Sequence, residues 1–340
     1  MHILVTGGAG FIGSNLTRAL LLRGHQVTIF DNLSRPGSER NLRWLHADFG
    51  SLQLVTADVR DAAALVAAAA DVDAIFHLAG QVAVTTSVHN PREDFEINAL
   101  GTFNVLEAAR AAATPPLVIY ASTNKVYGGM EEIAIVEAAT RYRYRDYPAG
   151  ISEAQPIDFH SPYGCSKGAG DQYVRDYQRI YGLRTVVFRQ SAIYGPRQFG
   201  VEDQGWAAHF IIAAQTGRPI TIYGDGKQVR DMLYIDDLVR AYELALDQID
   251  QCSGQIYNIG GGAANTLSIW AEFEPLIADL AGTPIAPAQF GPWRPGDQLV
   301  CILDTSRAEQ DLGWRPQVSV GDGIARLWHW VAANRALFVG

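Results

Sequence analysis

The sequence predicts an α/β protein: a doubly wound parallel sheet with helices on both faces, carrying a smaller C-terminal lobe. Three observations predict it. Apolar, β-branched runs alternate with stretches of helical periodicity along the first half of the chain. Those runs are continuously apolar, as in strands covered on both faces. The first run leads straight into a glycine-rich turn.

The elements follow in order. HILVT is the first strand and SNLTRALLLRG the helix after it; QVTIFD and LQLVTAD are the second and third strands. The stretch from Ala62 to Ala70 is rich in alanine, but Leu65, Val66 and the flanking aspartates make it a short surface helix. AIFHLAG is a fourth strand, INALGTFNVLEAARAA a helix, LVIYAS a fifth strand and TVVFRQS a sixth. Beyond Arg184 the pattern loosens, and YGPRQFGVEDQGW and PIAPAQFGPWRPGDQ, rich in Gly, Pro and aromatic residues, read as loops over a cleft. The expected organisation is a dinucleotide domain over 1–189 with a return segment at about 229–260, and a lobe from 190–228 and 261–340.

The chain has 340 residues, 48% hydrophobic and 19% charged, which is ordinary for a globular protein and too apolar for disorder. A net charge of -9 without any block of Lys or Arg argues against nucleic acid or anionic membrane as a partner. No apolar run reaches membrane-spanning length. MHILVTGG enters the fold at once, leaving no room for a secretory leader ahead of the first strand. Cys165, Cys252 and Cys301 lack the spacing of a zinc site or a disulfide framework, so a reducing, cytoplasmic setting is expected. His77 has no second ligand at suitable spacing, and no metal is expected. Cys165 has no base to pair with and reads as a small packed thiol.

Gly8-Ala9-Gly10-Phe11-Ile12-Gly13 fits G-x-G-x-x-G, and Gly7, Gly10 and Gly13 are also three apart. The motif follows a strand and opens a helix, the context in which glycines permit a tight turn and the helix N-terminus offers free N–H groups to a pyrophosphate. Asp31 ends the second strand, where its carboxylate can accept ribose hydroxyls and repel a 2′-phosphate, so NAD is favoured over NADP. Asn32, Ser34 and Arg35 follow it beside the cofactor, although Arg35, like Arg40, also reads as a solvated loop charge. Asp58 serves either the adenine edge or the start of the following helix, with Val59 next to it.

Tyr163 and Lys167 are four apart at the start of a helical stretch, which puts both on one face. A nearby ammonium and a cationic nicotinamide both favour the phenolate, so Tyr163 would take a proton from a sugar hydroxyl. Thr123 supplies a third hydroxyl from a strand end.

With TGGAGFIG, DN at Asp31, FHLAGQ, Asn98 in INALGT, Thr123, the Tyr163/Lys167 pair and QVRDMLYIDDL in place, the chain resembles the extended short-chain dehydrogenase/reductase family, the nucleotide-sugar epimerases and dehydratases. The resemblance covers nearly the whole length. It implies a Rossmann-type fold, bound NAD, hydride transfer at a sugar carbon, Tyr163 as acid/base, Lys167 on the nicotinamide ribose and Thr123 on the reacting hydroxyl. It also implies Leu78, Ala79, Gly80, Gln81 and Asn98 beside the cofactor. Val82, His160, Gln190, Arg197 and Gln204 would line the substrate site, and Arg230 and Arg294 would grip the substrate pyrophosphate. For His160 a loop hydrogen-bonding role stands equally; for Trp206 and Phe199, core packing.

Family dehydratases are similar to S-T-D-E-V-Y-G where this chain reads STNKVYG; Asn124 and Lys125 replace the acidic pair that elimination needs. Those two are either sugar contacts or, for Lys125, a partner of Glu131 or Glu132. Ala192 stands where 4-epimerases of the family usually carry asparagine, which disfavours a UDP-hexose 4-epimerase. AGQVAVTTSVHNPREDFEIN, STNKVYGG, DQGW and GDGKQVRD are similar to the group that acts at C2 of CDP-linked sugars. That similarity implies a CDP-sugar substrate, CDP-3,6-dideoxyglucose or CDP-glucose, a role in lipopolysaccharide O-antigen supply, and a homodimer or homotetramer packed through the helices near Asn98 and Tyr163. A non-catalytic NAD-binding sensor or scaffold is the alternative of a different class.

Overall fold

Seven parallel strands form the central sheet of the computed structural model, which describes residues 1–287, 289–294 and 296–339. In chain order they are β1 (His2–Thr6), β2 (Gln26–Phe30), β3 (Gln53–Val55), β4 (Ala74–His77), β5 (Leu117–Thr123), β6 (Thr185–Gln190) and β7 (Gln255–Ile259). Across the sheet the order is β7-β6-β5-β4-β1-β2-β3. The chain winds one way through β1, β2 and β3 and the other way from β4 onward, so the crevice where bound groups sit in such sheets opens beyond β1 and β4.

Both faces are covered, which explains the unbroken apolar runs. Ile3 and Val5 of β1 pack to one side with Leu16, Leu20 and Tyr242, whereas Leu4 packs to the other with Val105, Leu106 and Val174. Five of the helices are α1 (Phe11–Leu22), α2 (Ser38–Phe49), α3 (Ala62–Ala69), α4 (Gly101–Ala111) and α5 (Ser161–Tyr181), and Tyr242 belongs to a further one, Ile235–Asp247. The Ala-rich stretch is α3, and its N-terminal cap is Asp61, whose carboxylate accepts the Ala64 amide at 3.0 Å. Asp58 therefore does not cap that helix.

The C-terminal region adds a mixed sheet centred on Val229–Tyr234, with Ala192–Tyr194 and Val300–Cys301 parallel to it and Thr266–Ser268 antiparallel. Thus Val229–Tyr234 lies in the mixed sheet, while Gln255–Ile259 returns as β7 to the edge of the central one. The loop stretch PIAPAQFGPWRPGDQ holds a short strand, Gln289–Gly291, and its Ala288 and Pro295 lie outside the described residues.

One polar cluster ties these parts together. Arg189 on β6 makes a two-pronged pair with Asp171 on α5, Nε to Oδ2 at 2.9 Å and Nη2 to Oδ1 at 3.0 Å. Ser122 on β5 donates to the same carboxylate at 2.8 Å, and Tyr127 accepts from Arg189 at 3.2 Å while donating to Asn258 on β7 at 2.6 Å. Asp171 is 0% and Arg189 3% exposed, so either one left alone is an uncompensated buried charge. Asp171→Ala is expected to cost about 3–5 kcal/mol of unfolding free energy, measured by denaturant titration. A loss below about 1 kcal/mol, the size of a surface pair, would contradict the cluster's structural role.

Candidate active site

Two cavities meet beyond the C-terminal ends of β1, β4 and β5. The first, about 320 Å³, is lined by Gly7 and Gly10 through Gly13, by Asp31, Asn32, Ser34 and Arg35, by Asp58 and Val59, and by Leu78 through Val82. Its floor is the turn between β1 and α1. Gly7 has φ +70, and a side chain on it would start 2.8 Å from the Ala79 amide nitrogen; one on Gly13 would start 2.0 Å from the Gly7 carbonyl. No side chain caps α1, so its first amides point unclaimed at the cavity, a cradle for a pyrophosphate.

Asp31 is held by two amides, Oδ2 accepting from Ala9 at 3.0 Å and Oδ1 from Leu33 at 2.8 Å. Burial nevertheless lifts its carboxyl above the ordinary value. Asp58 is claimed by Arg60 at 2.8 Å and by Asn32 at 2.8 Å, which hold it down at about 2. Arg35 is no free loop charge: it reaches across the cleft to Gln204, while Arg40 donates to the Leu337 carbonyl.

The second cavity, about 310 Å³, is lined by Val82, Thr123, Asn124, Lys125, Tyr163, Gln204, Arg230 and Arg294 among others. Val82 and Gln204 border both cavities. Three expected substrate residues stand elsewhere. His160 lies against Asp158 at 2.9 Å, outside both linings, because the turn before α5 aims it outward. Gln190 is buried under the sheet, donating to the Tyr242 hydroxyl at 2.5 Å. Arg197 borders the first cavity, its guanidinium 4.2 Å above the Trp44 ring. Phe199 also borders the first cavity and Trp206 the second, each packed on aromatic neighbours. Cys165 is exposed rather than packed.

Asn98, Tyr163 and Lys167 do not border the first cavity. Asn98 sits in a single π-helical turn, Glu96–Leu100, and clasps Gln81 by both backbone groups, accepting its amide at 2.9 Å and donating to its carbonyl at 3.0 Å. Asp94, 1% exposed, accepts from Gln81, Asn98 and Ser166, locking the β4 end to α5. Ser87 accepts the Tyr163 amide at 3.1 Å. Asp94 and Ser87 escaped the sequence reading because PREDF and VTTSVH look like ordinary surface helix; their buried placement has no local signature.

Thr123 ends β5 and caps a 3-10 turn, Asn124–Tyr127. Its hydroxyl donates to Asn124 Oδ1 at 3.3 Å and accepts the Lys125 amide at 3.2 Å. Asn124 in turn donates to Cys301 Sγ at 2.9 Å, which turns its oxygen toward Thr123. Thr123 and Tyr163 both line the second cavity, and the threonine hydroxyl eases the phenol toward its ionised form. Lys125 meets Gln298 and Gly296, not Glu131 or Glu132. Lys167 donates to the Ala121 carbonyl at 2.6 Å, over the Tyr120 ring and beneath Gly80.

Burial dominates the titration of this pair. It pushes Tyr163 up to about 12, eased by Thr123 and Arg35 and opposed by Asp94. It pulls Lys167 down to about 7, against the attraction of Asp171 and Asp94. In the cofactor-free protein the Lys167 ammonium is turned to the Ala121 carbonyl, and the charges that act on the phenol are Asp94 and Arg35.

A family model described as the NAD dependent epimerase/dehydratase family matches residues 3–260. The chain belongs to that family. Its cofactor is NAD, which the glycine cradle, the uncapped helix and Asp31 fit. The chain is 44% identical to CDP-paratose 2-epimerase of Salmonella typhi, over 98% of this chain and all of that one. It is 36% identical to UDP-glucose 4-epimerase of Mycolicibacterium smegmatis, over 96% and 97%. A dTDP-glucose 4,6-dehydratase of Streptomyces venezuelae, solved with NAD, superposes with a TM-score of 0.84 at 33% identity, covering 99% and 98%. Among the described residues no helix is long and apolar enough to cross a membrane, and no cluster of three metal-ligating side chains occurs.

Lys167 makes a testable demand on the cofactor-free protein. Its folded value lies below the unfolded 10.5, so its burial costs stability fully below about pH 7 and the cost fades as pH rises toward 10.5. Lys167→Met is expected to raise the melting temperature relative to wild type most at pH 7, with the gain shrinking toward pH 10. A gain that is flat across that range would refute the assignment.

Proposed function

We propose that this enzyme is a redox-neutral nucleotide-sugar epimerase that inverts C2 of a CDP-linked hexose, interconverting CDP-3,6-dideoxyglucose and CDP-3,6-dideoxymannose, with CDP-glucose and CDP-mannose as the neighbouring pair. The observation that carries the reading is that Thr123 and Tyr163 line one cavity, which shares two wall residues with the NAD cleft, with Asn124 and Lys125 where an eliminating enzyme needs acids. The 44% identity to a CDP-paratose 2-epimerase supports the sugar and the base.

The C2 hydrogen of a glycosyl nucleotide is not next to a carbonyl, so direct deprotonation is prohibitively hard. NAD supplies transient hydride acceptance and return. Tyr163 takes the hydroxyl proton on oxidation and gives it back on reduction; Thr123 holds that hydroxyl in line. Lys167 supports the nicotinamide side of the cleft from beneath Gly80. Because burial lifts an already high phenol value further, Tyr163 is protonated at neutral pH, and its service as a base depends on the positive charge of the oxidised cofactor. Arg230 and Arg294 hold the diphosphate.

We also propose a homo-oligomer built on α4 and α5. Phe103 and Tyr173 stack edge to face at 6.0 Å on the outer surface, with Phe95, Leu100 and Ile180 exposed on the same helices or the turn before them. Phe103→Glu is expected to shift the species seen in sedimentation velocity to monomer.

CDP-paratose, CDP-glucose and UDP-glucose, each incubated with the enzyme and followed by NMR, test the reaction. Inversion at C2 of a CDP-sugar without net NADH is expected; inversion at C4 of UDP-glucose overturns the reading in favour of a 4-epimerase, and no turnover of any points to a sensor. Tyr163→Phe should lower turnover by roughly 10²–10⁴-fold while NAD binding persists.

A further inference from the structure

The cations of the second cavity are compensated differently. Arg230 is paired with Asp297 Oδ1 at 2.5 Å, and Arg294 lies 3.3 Å from Asp203. Among the described residues Lys125 hydrogen-bonds only neutral acceptors, Gln298 Oε1 at 3.1 Å and the Gly296 carbonyl at 3.5 Å. Gln298 is 3% exposed and spends its amide nitrogen on the Gly128 carbonyl at 2.6 Å, which fixes its oxygen toward the ammonium. Burial and the neighbouring Arg230 both press the ammonium below its ordinary value, Asp297 partly offsetting them. An aimed cation without a carboxylate on it is a costly arrangement unless an anion completes it.

Its place in the cavity says which anion. Lys125 is two residues from Thr123, on the turn that Thr123 caps, and lies within electrostatic reach of Arg230. It shares one cavity with Thr123 and Tyr163 and with the cationic pair Arg230 and Arg294. In a nucleotide sugar the diphosphate hangs from C1. C2 is the next ring carbon and C4 the far one. Bringing C2 to Tyr163 requires the β-phosphate to approach the acid/base pair more closely than bringing C4 does. A cation rooted on the Thr123 turn and lining the same cavity can meet a phosphate drawn in that far.

We propose that Lys125 binds the β-phosphate of the substrate and so sets the register of the sugar, presenting C2 to Tyr163. This rests on the C2 reading above, but its test needs no turnover. CDP and CMP are titrated calorimetrically into the NAD-loaded wild type, Lys125→Gln and Lys125→Arg. Lys125→Gln is expected to weaken CDP by about tenfold to a hundredfold and CMP by less than about twofold, with Lys125→Arg close to wild type. Equal losses for CDP and CMP, or an undiminished CDP affinity, overturn the proposal. If Lys125→Gln does not fold, Lys125→Met, which keeps the apolar stem, takes its place with the same criteria. Product analysis on the wild type separately decides C2 against C4, so a failure of the reaction reading is distinguishable from a failure of the Lys125 assignment.

Discussion

The buried pair between Arg189 and Asp171 is the constraint on which the site depends. A charge with no access to water tolerates only one arrangement of its partners, because any slip leaves it unpaired at low dielectric. The pair therefore fixes α5 against β6, and its branches through Ser122, Tyr127 and Asn258 fix β5 and β7 to the same frame. Tyr163 lies about two turns upstream of Asp171 on α5, and Thr123 is the residue after Ser122. Their meeting is a consequence of that frame.

The enclosure that assembles the site also opposes its chemistry. Burial raises the phenol and lowers the ammonium, the reverse of what a base and its helper need at neutral pH. In the proposed reaction the positive charge of the oxidised cofactor would offset this, and the two cavities share a wall at Val82 and Gln204.

Much of the site was legible because its parts are local. The glycine turn, Asp31 at a strand end and the four-residue step from Tyr163 to Lys167 each depend on neighbours in the chain, and each lies where the pattern put it. Lys125 was legible as a substitution but not as a contact, since Gln298 and Gly296 are about 170 residues away. Arg197 and Gln190 show the converse. Both sit in stretches that border the cleft, yet Arg197 turns to Trp44 and Gln190 to Tyr242, because those partners come from α2 and from a distant helix.

By itself the sequence determined the doubly wound sheet, the NAD cradle, Thr123 at a strand end and Tyr163 and Lys167 on one helix, because strand period, helix period and turn glycines act over a few residues. Tertiary structure alone decided that Asp94 and Ser87 brace the site, that Asn124 orients Thr123 and that Lys125 stands without a carboxylate. Those outcomes rest on which distant groups meet in a water-free interior, and on how strongly that interior shifts each proton.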